Sequence, residues 1–297
     1  MEGKMFEDDL DNFWKQTLCE LAEIPLDAHL EPAPEQSGRE YTTSQVTLTS
    51  WGGIRIRAWY SVPNDAPRKR FSAVMTAPGY SGAKLIPVHL VQQGYAVLTL
   101  YPRGQGESQA EWELEAGTKL IYHITDRNQY YYRGAYADCV RGLDFLANRE
   151  EIDAERIGMW GRSQGGGLTL TTASLDSRLK AAVAEEPFLC NYPVAIETVK
   201  THPYAELSEY LNAHPSHQAA ALATLAWFDP MSLVERITCP VLVNVGVKDE
   251  VCPFRTIMPV FEKIKCQKAL MIYPDLGHSP CTDFNNHAQN WLDRYLG

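Results

Sequence analysis

"MWGRSQGGGL", residues 159–168, sets one serine among glycines, directly after an apolar run and directly before a stretch that reads as helix. In Gly161-Arg162-Ser163-Gln164-Gly165 the central residue sits where a strand must turn sharply into a helix. Flanking glycines remove the Cβ atoms that would block so close an approach. A bare G-x-S-x-G recurs by chance, so the spacing alone leaves two readings, a nucleophile or a small residue in a tight turn. The setting favours the first: "RIGMW" ahead of it has the pattern of a buried strand, and "QGGGLTLTTASL" after it opens a helix, as the motif requires. Ser163 is the expected nucleophile.

Working outward, apolar strand-like runs alternate with helical segments from residue 71 onward: "FSAVMTAP", "YAVLTLYP", "RIGMWG", "KAAVAEEP", "CPVLVNVG" and "KALMIYP". Such alternation predicts a mainly parallel central sheet with helices on both faces. Helices are expected at 130–149, about 164–176 and 284–296. The stretch 187–235 shows no strand pattern and reads as a helical insertion over the carboxyl edge of the sheet. Upstream, "SQVTLTSWGGIRIRAWYSVP" alternates, with Ile54, Ile56, Ala58 and Tyr60 on one face and Arg55, Arg57 and Trp59 on the other. This predicts an antiparallel hairpin. Residues 1–40 read as a helical extension with Leu10, Phe13, Trp14 and Leu18 at helical spacing, followed by the "EPAPEQSG" connection. The 297 residues are expected to form one large domain around one core.

Composition narrows the chemistry. Hydrophobic residues at 45% and charged residues at 22% fit a soluble globular protein. A formal charge of −10, with "PRKR" at 67–70 the one basic cluster, argues against a nucleic-acid partner. No apolar run approaches the roughly 20 residues that span a bilayer, and the start has no basic region followed by an apolar core, so neither membrane nor export is expected and the location is read as cytoplasmic. Seven cysteines, odd in number and without close pairing, are read as buried free thiols rather than disulfides or a zinc site. No metal and no cofactor is expected.

A serine nucleophile needs a base and an acid that orients it, and on this architecture they follow in the order Ser, acid, His at the ends of two later strands. "VLVNVGVKDEVCP" ends a strand at Asp249, and "ALMIYPDLGHSP" ends the next at His278. The competing acids are Glu250, which adjoins Asp249, and Asp275, so near His278 that it reads as a turn residue. Of the eight histidines, His278 alone follows a strand. His214 and His217 lack the third ligand of a metal site and read as loop residues. One oxyanion donor is expected from the backbone N–H of Gln164 and the second from "APGYSG", residues 77–82, where Pro78 has no N–H to give and Tyr80 is the candidate. Arg103 and Gln105, in "YPRGQGES", either brace neighbouring loops or touch substrate, and bracing is the expected role.

These residues carry a resemblance. "RGQG" at 103–106, "YYYRGAYADCVRGLDFL" at 130–146, "GRSQGGGL" at 161–168, "EEPFLCNY" at 185–192 and "KDEVCP" at 248–253, together with "FWKQTL" and "SWGGIRIRAWY", resemble the acetyl xylan esterase and cephalosporin C deacetylase family over nearly the whole chain. The resemblance implies an α/β-hydrolase fold and metal-free serine esterase chemistry on short acyl groups, chiefly acetyl esters of sugars. It also implies a homo-oligomer, often a hexamer, and places Ser163, Asp249 and His278 at the catalytic triad and Tyr80 and Gln164 at the oxyanion hole. Two positions depart from the family pattern: Pro78 stands where a histidine is usual and Ser279 where a glutamate is usual. Trp51 and Trp59 on the hairpin suggest an apolar sheet edge that a neighbouring subunit would cover. The alternative is cover from the N-terminal segment of the same chain. Competing functions on the same fold are hydrolysis of other esters or of peptides, and a catalytically silent binding module.

Overall fold

The computed structural model describes residues 2–64 and 70–297, with side chains from residue 6 onward, so most of the "PRKR" cluster lies outside the described residues. Nine strands form one sheet in the order β1-β2-β3-β5-β4-β6-β7-β8-β9. The ranges are β1 His29–Pro32, β2 Tyr41–Thr49, β3 Arg55–Pro63, β4 Phe71–Thr76, β5 Ala96–Tyr101, β6 Ile152–Arg162, β7 Leu179–Glu185, β8 Val241–Gly246 and β9 Lys268–Tyr273. β1, β2 and β3 pair antiparallel, and β3 joins β5 antiparallel. From β5 through β9 every pairing is parallel. The expected hairpin and parallel sheet are therefore present, and the buried parallel strands coincide with the contiguous apolar runs because both of their faces are covered.

Helices cover the two faces. α1 Glu2–Glu23, α3 Tyr131–Ala147 and α4 Gln164–Leu175 belong to one side, where Leu10, Trp14, Tyr136, Leu143 and Leu168 share a core with Ile56, Met75 and Met159. α2 Val88–Gln92 and α10 Thr282–Leu296 cover the other, where Leu90, Phe284 and Leu292 pack on Val74, Trp160 and Val183. Between β7 and β8 lie α5 Tyr192–Thr198, α6 Ala205–Ala213, α7 Gln218–Leu225 and α8 Pro230–Leu233. α9 Phe254–Lys263 links β8 to β9. The chain runs from β4 to β5 on one side of β4, then to β6 on its other side. The loops leaving β4 and β6 thus meet at a topological switch point, where α/β sheets open a crevice for ligands.

Three expectations need correction. Residues 1–40 are not helical throughout: α1 ends at Glu23, and His29–Pro32 add a strand to β2. That strand is four residues long, almost wholly exposed and ends in proline, so it offers no alternation to read, and its place at the sheet edge is where proline is tolerated. Nor is the hairpin a sheet edge, since β1 flanks β2 and β5 flanks β3. Trp51 is covered within the chain: its Nε1 donates to Glu20 of α1 at 2.9 Å, and the Arg133 guanidinium lies 4.3 Å from its ring centroid. All seven cysteines are unpaired, but burial holds only for Cys139, Cys190, Cys239 and Cys252; Cys19 is exposed and Cys266 and Cys281 are partly so.

Candidate active site

Ser163 lies between β6 and α4 with φ +56° and ψ −121°, a backbone region that non-glycine residues adopt only under constraint. The constraint is visible. Its N–H donates to Glu185 O at 2.9 Å, its carbonyl accepts from Phe188 N at 2.9 Å, and the glycines on either side allow no substitute. A Cβ on Gly161 would stand 2.1 Å from Gly165 O, and one on Gly165 would stand 2.5 Å from Ala77 O. The serine is thus raised at the carboxyl end of β6, with the N-terminus of α4 directly behind it.

His278, on the loop after β9, accepts from Ser163 Oγ through Nε2 at 3.1 Å and donates through Nδ1 to Asp249 Oδ2 at 2.8 Å. The other Asp249 oxygen accepts the N–H groups of Val251 and Cys252, both at 2.8 Å. Burial pushes the Asp249 carboxyl up, but the His278 hydrogen bond and these two N–H groups outweigh it and leave the group below the ordinary value. Asp249 is therefore an anion that fixes the tautomer, with Nδ1 protonated and Nε2 free to take a proton. The competing acids stand apart: Glu250 is exposed, and Asp275 pairs with Lys248 at 2.6 Å on the surface. His214 and His217 stack on each other and hydrogen-bond Tyr210 through its carbonyl and hydroxyl respectively.

The loop after β4 lies against α4. Gln164 Nε2 donates to Gln105 at 2.8 Å and to Pro78 O at 3.3 Å, while Gln105 Nε2 donates to Gly79 O at 3.3 Å. Tyr132 donates to Gln164 Oε1 at 3.0 Å, which completes the brace. The Tyr80 hydroxyl donates to Glu206 of α6 at 2.6 Å, and its ring meets Phe188 edge-on at 5.8 Å. Arg103 is buried and clamps Asp138 through Nε at 2.9 Å and the terminal nitrogen at 2.7 Å. Arg103 and Gln105 both brace neighbouring elements, as expected.

Three residues escaped the sequence reading. Glu206 ties the helical insertion to the β4 loop, and Cys252 Sγ lies 4.0 Å from Ser163 Oγ. Glu186 places a carboxylate oxygen 3.6 Å from His278 Nδ1. Signals for the last two existed, since both stand in motifs quoted above, but neither motif says which way the side chain turns. Among the described residues no helix is long and apolar enough to cross a membrane.

Comparison with known proteins identifies the family. The acetyl xylan esterase family model matches residues 1–295. Acetyl esterase Axe7A of Xylanibacter ruminicola is 26% identical over 97% of this chain and 67% of its own length. The solved acetyl xylan esterase from Paenibacillus sp. R4 superposes with a TM-score of 0.91 at 30% identity, covering 97% of this chain and 95% of that one. Acetyl xylan esterase 1 from Thermoanaerobacterium sp. JW/SL YS485 does so at 0.88 and 26%, covering 97% and 94%. A more distant structure, the α/β-hydrolase GrgF from Penicillium sp. sh18, shares the fold at 0.62 and 20%, covering 86% of this chain and 99% of that one. With the same architecture and an unbroken family match from end to end, this chain belongs to the acetyl xylan esterase family and is a carboxylic ester hydrolase.

Proposed function

We propose that Ser163, His278 and Asp249 form the catalytic triad of a serine esterase that removes acetyl groups from carbohydrates, cephalosporin-type acetyl esters included. The observation that carries the reading is the continuous hydrogen-bond chain from Ser163 Oγ to His278 to Asp249. Ser163 attacks the acyl carbonyl while His278 takes its proton. The carbonyl electrons move onto oxygen, which the N–H groups of Tyr80 and Gln164 receive at the positive end of α4. His278 then protonates the departing sugar alcohol, and water repeats the sequence on the acyl-enzyme to release acetate. Asp249 stays ionised throughout and stabilises the imidazolium. The buried Cys252 thiol, 4.0 Å from Ser163 Oγ, takes up room beside the serine, which supports a short acyl group. The seven unpaired thiols suit a reducing cytoplasm. A closed homo-oligomer stays part of the proposal on the family resemblance alone, now that the hairpin has its cover within the chain.

Specificity constants for p-nitrophenyl acetate, butyrate and octanoate, alongside acetate release from acetylated xylo-oligosaccharides, test the reading. Acetate is expected to be the best of the three, with octanoate at least about tenfold poorer, because an acyl pocket shaped for acetate excludes surplus methylenes by clash. Octanoate as the preferred substrate overturns it. Ser163→Ala should cost about three powers of ten or more in turnover while the protein stays folded.

A further inference from the structure

Glu186 is a buried carboxylate with no place in the chemistry described so far. Its side chain is fully buried, and its backbone has φ +42°, a left-handed conformation in a residue that is not glycine. Burial and strain each cost free energy, and such residues persist where the surroundings hold them for a purpose. The surroundings here are specific. Its N–H donates to the Asn244 side chain on β8 at 2.8 Å, and Arg162, the first of the two variable residues of the G-x-S-x-G elbow, donates through Nε to Oε2 at 3.0 Å. That same Oε2 lies 3.6 Å from His278 Nδ1, the nitrogen that also faces Asp249, while Oε1 is buried without a partner.

We propose that Glu186 is a second carboxylate of the charge relay: held by Arg162, it shares with Asp249 the stabilisation of the imidazolium that forms on His278 during ester cleavage. Glu186 touches neither substrate nor the reacting oxygen, so it is a positioning residue that acts through His278. The inference rests on the reading of His278 as the base. The groups facing Glu186 are Arg162 from β6, with Glu185 and Lys84 beyond it, the Asp249 carboxylate and the Cys252 thiol from the loop after β8, and His278 from the loop after β9. Burial pushes the Glu186 carboxyl up, against the pull of Arg162 and His278, to about 7. It is thus poised to lose its proton in the range where a serine esterase begins to work, and it adds its charge to the relay as it does so.

The experiment is the pH profile of kcat/KM on p-nitrophenyl acetate for Glu186→Gln, Glu186→Asp, Asp249→Asn and the double variant Asp249→Asn with Glu186→Gln. Glu186→Gln should lose about tenfold at pH 8, and its acid limb should move to lower pH by about half a unit, because His278 loses an anion that favours its charged form. Glu186→Asp should recover part of the rate. The double variant should be about tenfold slower than Asp249→Asn, since Glu186 carries the relay when Asp249 cannot. If the Glu186 variants do not fold, Arg162→Gln decides: the carboxyl then keeps its proton to higher pH, so a deficit at pH 7 should be recovered by pH 9. An acid limb that stays in place with rates within twofold, or a pH-independent Arg162→Gln, overturns the inference. Loss of turnover in Ser163→Ala alongside silent Glu186 variants overturns this inference alone, whereas a fully active Ser163→Ala overturns the proposed function beneath it.

Discussion

Two glycine-bearing turns meet at the switch point of the sheet, and they are held by different means. The elbow around Ser163 is fixed by main-chain contact: any Cβ on Gly161 or Gly165 runs into a carbonyl group that no side-chain rotation can move aside. The loop at 77–82 is the opposite case. A Cβ on Gly79 would meet nothing within 4 Å, and the loop is kept in place by the carboxamides of Gln105 and Gln164 reaching in from neighbouring elements. The position of Ser163 therefore depends on what is missing from the sequence, and that of the loop at 77–82 on what is present at a distance. The first is intolerant of any addition. The second tolerates an addition at Gly79 but is sensitive to loss of its tethers.

The largest effect tests the elbow. Gly161→Ala should destabilise the protein by about 3 kcal/mol or more, because the clash is with backbone and only main-chain displacement relieves it. Thermal unfolding checks this, and an alanine variant with a native melting temperature and full turnover would break the comparison at its stronger side. Next comes the tether: on the proposed oxyanion role of Tyr80, Gln105→Leu should lower kcat on acetyl esters about tenfold with little change in KM, since a displaced donor harms the transition state more than the bound substrate. A change confined to KM would mean that Gln105 shapes substrate binding instead. Smallest of all, Gly79→Ala should stay within about twofold of the native rate on p-nitrophenyl acetate. If it loses acetylated xylo-oligosaccharides selectively, the open space at Gly79 belongs to the sugar, which sharpens the contrast rather than removing it.

The same contrast explains what could be read from the chain beforehand. The parallel strands and the elbow declare themselves because burial on both faces demands contiguous apolar residues, and because a serine between glycines has few uses at the end of a strand. Asp249 and His278 followed from chain order. β1 escaped, since four exposed residues ending in Pro32 owe their strand conformation to pairing with β2 and not to any pattern of their own. α9 escaped as well: it carries Pro259 within it, a signal that normally argues against a helix. Glu186 was hidden for a third reason. "EEPF" presents two adjacent carboxylates, and only the left-handed turn at the second sends it toward His278 while Glu185, at the end of β7, lines a separate pocket with Lys84, Trp160 and Arg162.

The docking of α1 bears on the order in which the molecule is made. Trp14 Nε1 donates to Trp227 O at 3.1 Å, and the Phe13 ring meets Trp227 and Phe228 edge-on, so α1 finds part of its seat in residues that follow it by 213 positions. At synthesis rates of roughly 5–20 residues per second, that gap keeps the apolar stripe of α1 waiting for about 10–40 seconds. During elongation Phe13 and Trp14 lack the part of their cover that Trp227 and Phe228 supply, so the helix that shields Trp51 in the finished enzyme is, while the enzyme is being built, incompletely buried along its apolar stripe.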